Sequence, residues 1–231
     1  MMARFKGGKD SKSLKPNKDH KTLKTKTLSE FIKKTLGSGN LKLAVELPPG
    51  EDINEWIAAN TVDFFNEISL MYGLVVDEAK EMFKEPGSGF PPNFEYRWIV
   101  QTAGKRDKAI PVSSPEYVDY VMTWVEDQLD NEEIFPVLEA EDFPENFLEY
   151  IGDIYKRLFR IFAIIYHRHF DSFEELEATA HLNTTFKHFM FFCFQFELLE
   201  DEETKVLQGP VAKLRTDFDS LPGRGDEDTD N

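Results

Sequence analysis

Apolar residues along most of this chain recur at helical spacing. From Asp52 to Met71 they fall at positions 53, 56, 57, 64, 65, 68 and 71, which predicts an amphipathic helix entered after the stop Pro48-Pro49-Gly50. Ser114-Pro115-Glu116 predicts a second helix, with Ser114 as N-cap and the proline at the first helical position, running through Trp124 to about Leu129. Residues 145–170 read as one long, very apolar helix, and Asn183 or Thr184 as the cap of another that ends near Leu199. In this last segment Phe stands at 186, 189, 191, 192, 194 and 196, so no face is wholly polar and a central position is expected. A shorter helix, Leu28 to Leu36, is closed by Gly37. One stretch alternates instead: Glu95–Val100 and Lys108–Val112 flank Gly104-Lys105-Arg106-Asp107, the pattern of a β-hairpin whose second strand is made an edge by Pro111.

The ends lack such patterns. Lysine recurs at 6, 9, 12, 15, 18, 21 and 24, a spacing that suits neither a helix face nor a strand face, and Pro16 interrupts it. Residues 1–29 are therefore expected to be a basic, disordered tail, serving either solubility or docking and regulation. Residues 214–231, acidic and carrying Pro222, Gly223 and Gly225, are expected to form a second tail. Between them, residues 30–213 read as one mainly α domain with a small β-hairpin.

Charge changes the picture more than composition does. The 231 residues carry a net charge of −16. Residues 1–44 hold 12 Lys and Arg against 3 Asp and Glu, and the rest of the chain holds 15 against 40, so the body is strongly acidic. Such a field disfavours nucleic acid and anionic lipid and favours basic protein segments. No apolar run approaches the roughly 20 residues of a membrane span, and no secretory signal is expected from Met1–Lys24. The single cysteine, Cys193, has no partner for an internal disulfide, so a reducing compartment, cytoplasmic or nuclear, is expected.

Signs of catalysis are weak. The chain has no glycine-rich phosphate loop, no GxSxG elbow and no HExxH. His167 and His169 lie two apart on a helix and point apart, and one cysteine excludes a closed thiolate zinc site. A metalloenzyme or hydrolase is the weakest reading; no cofactor and no bound metal are expected.

Two constellations stand out. Glu51, Glu55, Ala59 and Asp63 are spaced by four, with Trp56 alongside. Like charges at this spacing repel by about a few tenths of a kcal/mol, so helix stability does not explain the row. It is either a solvated face or an anchor for a basic helix through burial, cation–π contact and ion pairs. The second is Lys156, Arg157 and Arg160 within a very apolar helix. Unpartnered cations there are costly, so either internal carboxylates or a bound phosphate should meet them.

Taken together these stretches resemble the Mob family of kinase co-activators. The resemblance is carried in order by Thr35-Leu-Gly-Ser-Gly-Asn-Leu41, Leu47–Ala58, Asn60–Asn66, Tyr117–Val125, His167–Ser172 and Ala180–Phe189. It implies a single domain built on a four-helix bundle with extra helices. It also implies a non-enzymatic adaptor that binds the basic N-terminal regulatory segment of an NDR/LATS-type AGC kinase through Glu51, Glu55, Trp56, Asp63, Phe135 and Pro136. A phosphopeptide pocket for a phosphorylated Hippo-type upstream kinase or scaffold maps onto Lys156, Arg157 and Arg160. Regulatory phosphosites map onto Thr35 and, less closely, Ser13. A phosphopeptide-binding scaffold without kinase co-activation is the alternative.

One departure is clear. The family's structural zinc is held by two Cys and two His, but here the matching positions are Ala79, Lys84, Ile164 and His169. The 74–94 loop must then be held otherwise, and Met82, Phe83, Phe90, Pro91 and Pro92 are the residues expected to do so.

Overall fold

A computed structural model describes residues 40–100, 108–137 and 142–224. The expected helix at 28–36, the hairpin tip, Ser13 and Thr35 lie outside these residues. In chain order the elements are α1 (Leu41–Val45), α2 (Ile53–Gly73), α3 (Val76–Met82), β1 (Arg97–Val100), β2 (Lys108–Pro111), α4 (Ser114–Leu129), α5 (Phe147–Arg168), α6 (Phe170–Glu175), α7 (Thr179–Phe196), α8 (Asp201–Thr204) and α9 (Gln208–Ser220), with a 3₁₀ turn at Lys205–Leu207 before the last. The chain is mainly helical, as its periodicity predicts. β1 and β2 pair antiparallel in one two-stranded sheet, with Trp98 opposite Ile110.

The core is where α2, α4, α5 and α7 meet. Burial of aromatic rings is its main source of stability, because each removes a large apolar area from water. Phe64 of α2 lies edge-on to Tyr155 of α5 and to Phe189 and Phe192 of α7. Tyr155 in turn stacks on Phe189 with centroids 5.2 Å apart. The helix with phenylalanine on every side is thus central, as expected. Phe189, Met190, Phe191 and Phe192 have no solvent exposure.

Helix ends follow local chemistry and correct the sequence reading in places. Asp52 caps α2, accepting from the N–H groups of Asn54 at 2.9 Å and Glu55 at 3.1 Å. The cap of α4 is Ser113, one residue earlier than expected. Its N–H donates to Glu116 Oε2 at 2.8 Å, half of a capping box. The expected 145–170 helix breaks at His169, whose backbone (φ −131°, ψ 11°) leaves the α region between α5 and α6. Helix α7 begins at Thr179, not at Asn183 or Thr184, because the turn through Glu177 (φ 55°) delivers Ala178 directly to the helix start.

The C-terminal region also differs. Residues 214–220, expected in the acidic tail, continue α9 to Ser220. Phe218 explains this: its ring lies edge-on to Phe191 and Phe194 of α7 and holds the helix down. Beyond it, Lys42 Nζ donates to Leu221 O at 2.8 Å, and Arg224 N–H to Glu46 Oε2 at 3.0 Å. These bonds clip the C-terminal segment to the chain around α1.

Candidate functional site

The acidic row is built by the entry to α2. Glu51 stands before the Asp52 cap, in a turn where its N–H donates to Pro48 O at 3.2 Å. It is therefore adjacent to the helical row and not part of it. Glu55 and Asp63 follow on the helix, both half-buried, while Ala59 between them is fully buried. The row thus runs along the border between solvent and core. Asp63 lies close enough to His188 of α7 to favour its charged form, yet burial outweighs this and lowers the imidazole to about 4.

The two aromatics expected to pack against a partner do not reach the surface. Trp56 is 0% exposed, and its Nε1–H donates to Val45 O at 3.1 Å, tying α2 to α1. Phe135 is 8% exposed and lies edge-on to Phe147, at 5.4 Å, where the loop after α4 meets the start of α5. Both residues are core. Pro136 beside Phe135 keeps partial exposure. A residue that the sequence did not single out supplies apolar surface instead: Ile53, 45% exposed, between Glu51 and Glu55. Only its place in the first turn, ahead of the buried face, marks it in the sequence.

The three cations of α5 are divided. Lys156 forms an ion pair with Glu203 of α8. Arg157 donates to Asp153 O at 2.8 Å, and its guanidinium lies 4.1 Å from the centre of the Trp124 ring. Arg160 donates to Tyr117 OH at 3.0 Å and lies 4.9 Å from the Tyr96 ring centre. Internal carboxylates therefore take Lys156 and, at 3.4 Å from Asp153 Oδ1, also meet Arg157, whereas Arg160 meets a hydroxyl. The two arginines are set against aromatic faces, which hold the guanidinium planes in place while five N–H donors on each allow more than one bond.

Arg157 and Arg160 line a cleft of about 540 Å³ together with Arg97, Trp98, Tyr120 and Trp124; Lys156 does not line it. The hairpin supplies one wall, and Trp98 fixes it by packing on Tyr117 and Tyr120 of α4. Arg97, Trp98 and Tyr120 were not expected from the sequence as site residues. The signal for Arg97 and Trp98 was only the alternation of a strand, and Tyr120 lay unmarked within the α4 helix. Two or three guanidinium groups over an aromatic floor suit an oxyanion with an organic body.

The zinc positions of the family do not fit a metal here. Ala79 and Ile164 are fully buried and offer carbon, and Lys84 is an exposed amine. Among the described residues no group of three or more His, Cys, Asp or Glu is placed to hold a metal ion. His169 instead shares Glu78 with Ser172: its Nδ1 lies 3.3 Å from Glu78 Oε1, and Ser172 Oγ donates to Oε2 at 2.6 Å. Burial lowers the His169 pKa, with the Glu78 carboxylate opposing.

The loop from 83 to 94 is held largely as expected, with a correction. Phe83 packs edge-on to His169, Phe90 on Tyr96 and Tyr117, and Pro91 is buried. Met82 is 57% exposed and Pro92 is exposed, so neither contributes. Backbone bonds complete the attachment: Arg168 Nε donates to Phe90 O at 2.7 Å, and Ser114 N–H to Ser88 O at 2.9 Å. Gly89 (φ 79°) is required here, since a Cβ would stand 2.0 Å from Ser114 Oγ.

The profile described as the Mob1/phocein family matches residues 33–207. "MOB kinase activator-like 1 homolog A" of Dictyostelium discoideum is 47% identical over 208 residues, covering 90% of this chain and 94% of the relative. "MOB kinase activator-like 1A" of Medicago sativa subsp. falcata is 46% identical, covering 90% and 96%. "MOB kinase activator-like 1B" of Arabidopsis thaliana is also 46% identical, covering 92% and 98%.

Proposed function

The chain belongs to the Mob1/phocein family, and on that footing we propose that it is a non-enzymatic adaptor and co-activator of a protein kinase. The relatives' names, each a kinase activator, support this reading across about nine-tenths of the chain. In finer terms, its partner is an NDR/LATS-type kinase whose basic N-terminal regulatory segment lies on the α2 entry. The observation that carries this is the placement of Glu55 and Asp63 along one border of α2, with Glu51 in the turn just before it and the exposed Ile53 between Glu51 and Glu55. Carboxylates speed encounter with a basic segment and select against acidic ones, while the apolar side chain gives the segment something to bury. Trp56 and Phe135 act beneath this surface by fixing the α2 entry and the 131–137 turn, not by touching the partner. The protein has no catalytic role in this reading. Its mechanism is to hold the kinase's regulatory segment in one conformation.

The test is activation. Purified protein added to an NDR/LATS-type kinase should raise its activity, and Glu51→Lys with Glu55→Lys should abolish the rise while the helical circular dichroism is kept. A double variant that activates as well as the wild type would sink this surface.

The Arg157/Arg160 cleft supports a second function in the same molecule, binding of a phosphorylated segment of a Hippo-type upstream kinase or scaffold. It also supports the alternative of a phosphopeptide scaffold without co-activation, which keeps phosphopeptide binding and leaves kinase activity untouched. The activation assay separates the two.

A further inference from the structure

We infer that the arginine cleft takes its ligand as an added β-strand: an extended phosphorylated peptide that pairs with the outer edge of β1 while its phosphate meets Arg157 and Arg160. This rests on the phosphopeptide reading above and states how the peptide backbone is held. Arg97, Trp98, Ile99 and Val100 all line the cleft, and of β2 only Ile110 does, opposite Trp98. Side chains of a strand alternate between its faces, so a cleft lying over one face would meet every second residue. The cleft therefore covers the face that Trp98 and Ile110 share and, by meeting four β1 residues in a row, also reaches the β1 backbone.

That edge is open. Among the described residues the sheet has two strands, so β1 has β2 on one side and no strand on the other. An open edge presents backbone N–H and C=O groups ready to pair with an extended segment. The two strands are not equivalent in this respect. β2 carries Pro111, which has no N–H to give, whereas Arg97–Val100 contain no proline. The strand that lines the cleft at all four positions is thus the one without a proline to interrupt its edge.

The walls suit the alternation of a bound strand. Tyr120 and Trp124 offer apolar faces to side chains pointing to one side, and the guanidinium groups of Arg157 and Arg160 receive a phosphate. Arg157 spends Nη1 on Asp153, whose carbonyl lies at 2.8 Å and whose Oδ1 lies at 3.4 Å, and Arg160 donates to Tyr117 OH, which leaves donors on both for a doubly charged oxyanion. Backbone pairing supplies affinity without reading side chains, so the phosphate and the aromatic wall set selectivity.

The experiment uses the full chain and fluorescein-labelled peptides with a central phosphothreonine and β-branched flanks, read by fluorescence anisotropy. Each backbone amide near the phosphothreonine is then N-methylated in turn. Methylation at alternate positions should weaken binding about tenfold, the loss of one to two hydrogen bonds, and the positions between should tolerate it. Amide exchange within residues 97–100 should slow when the peptide binds. If the phosphopeptide binds and Arg157→Ala with Arg160→Ala removes it, yet no N-methyl position matters and 97–100 gain no protection, strand addition is wrong and the phosphopeptide reading stands. If neither phosphorylated nor unphosphorylated peptides bind, that reading fails, and this inference with it.

Discussion

Replacing Trp56 with phenylalanine separates a core role from a partner-contacting one. The indole is fully buried where α2 leaves its capped first turn, and its N–H donates to Val45 O across to α1. Phenylalanine removes that donor and leaves the Val45 carbonyl buried without it, at a cost of about 1–2 kcal/mol. The smaller ring also leaves a void of a few tens of Å³, which costs on the order of 1 kcal/mol. The sum, about 2–3 kcal/mol, should lower Tm by roughly 4–12 °C in a chain of this size. Thermal unfolding followed by circular dichroism gives the first number. Titration of a basic kinase-derived peptide by calorimetry, well below the transition, gives the second: affinity within about twofold of wild type. An unchanged Tm with binding lost would refute the argument, since it would mean that the indole acts at the surface.

Four further outcomes follow from the same structure. Dialysis against a chelator should leave Tm unchanged, and elemental analysis of purified protein should find no stoichiometric zinc; zinc at one per chain would contradict the ligand positions described above. Glu78→Ala should lower stability by about 2–3 kcal/mol in urea unfolding, since it removes the carboxylate shared by His169 and Ser172; a loss below about 0.5 kcal/mol would mean that the loop is held by apolar packing alone. His188 is buried neutral, with its pKa lowered to about 4 from an ordinary 6.5. The unfolded chain therefore binds a proton that the folded one does not, so the contribution of His188 to stability is whole above pH 6.5 and is lost as pH falls towards 4. His188→Gln should flatten the pH dependence of urea midpoints in that window, and an unchanged slope would refute the assignment. Lys156→Ala should weaken phosphopeptide binding far less than Arg160→Ala, because Glu203 already holds Lys156; an equal loss in both would contradict the division of the three cations.

The fold was legible where one-dimensional periodicity carries the information. The long helices, the hairpin and the central place of the phenylalanine-rich helix follow from spacing alone. Helix starts were read less well, because Ser113 and Ser114 are both plausible caps and only Glu116's reach back to the Ser113 N–H decides between them. The end of α9 was hidden by its acidic composition, although Val211, Leu214 and Phe218 already carry a helical repeat that buries Phe218 against α7. At the site, charge was legible and depth was not. Trp56 lies beside the acids in sequence, yet its ring turns inward to Val45. Lys156 sits one residue before Arg157 and four before Arg160 on the same helix, yet a glutamate 47 positions away holds it. Arg97, Trp98 and Tyr120 become a wall of the cleft only through long-range packing of the hairpin on α4, which no local spacing encodes.

The proposed kinase contact centres on the acidic entry of α2. Calorimetric titration of wild type and of the Glu51→Lys, Glu55→Lys variant with a peptide spanning the basic regulatory segment of an NDR/LATS-type kinase tests it most directly. Binding by the wild type, falling more than about a hundredfold in the folded variant and weakening with added salt, is the result expected. Equal affinity in the two proteins, each with its native circular dichroism, would contradict it.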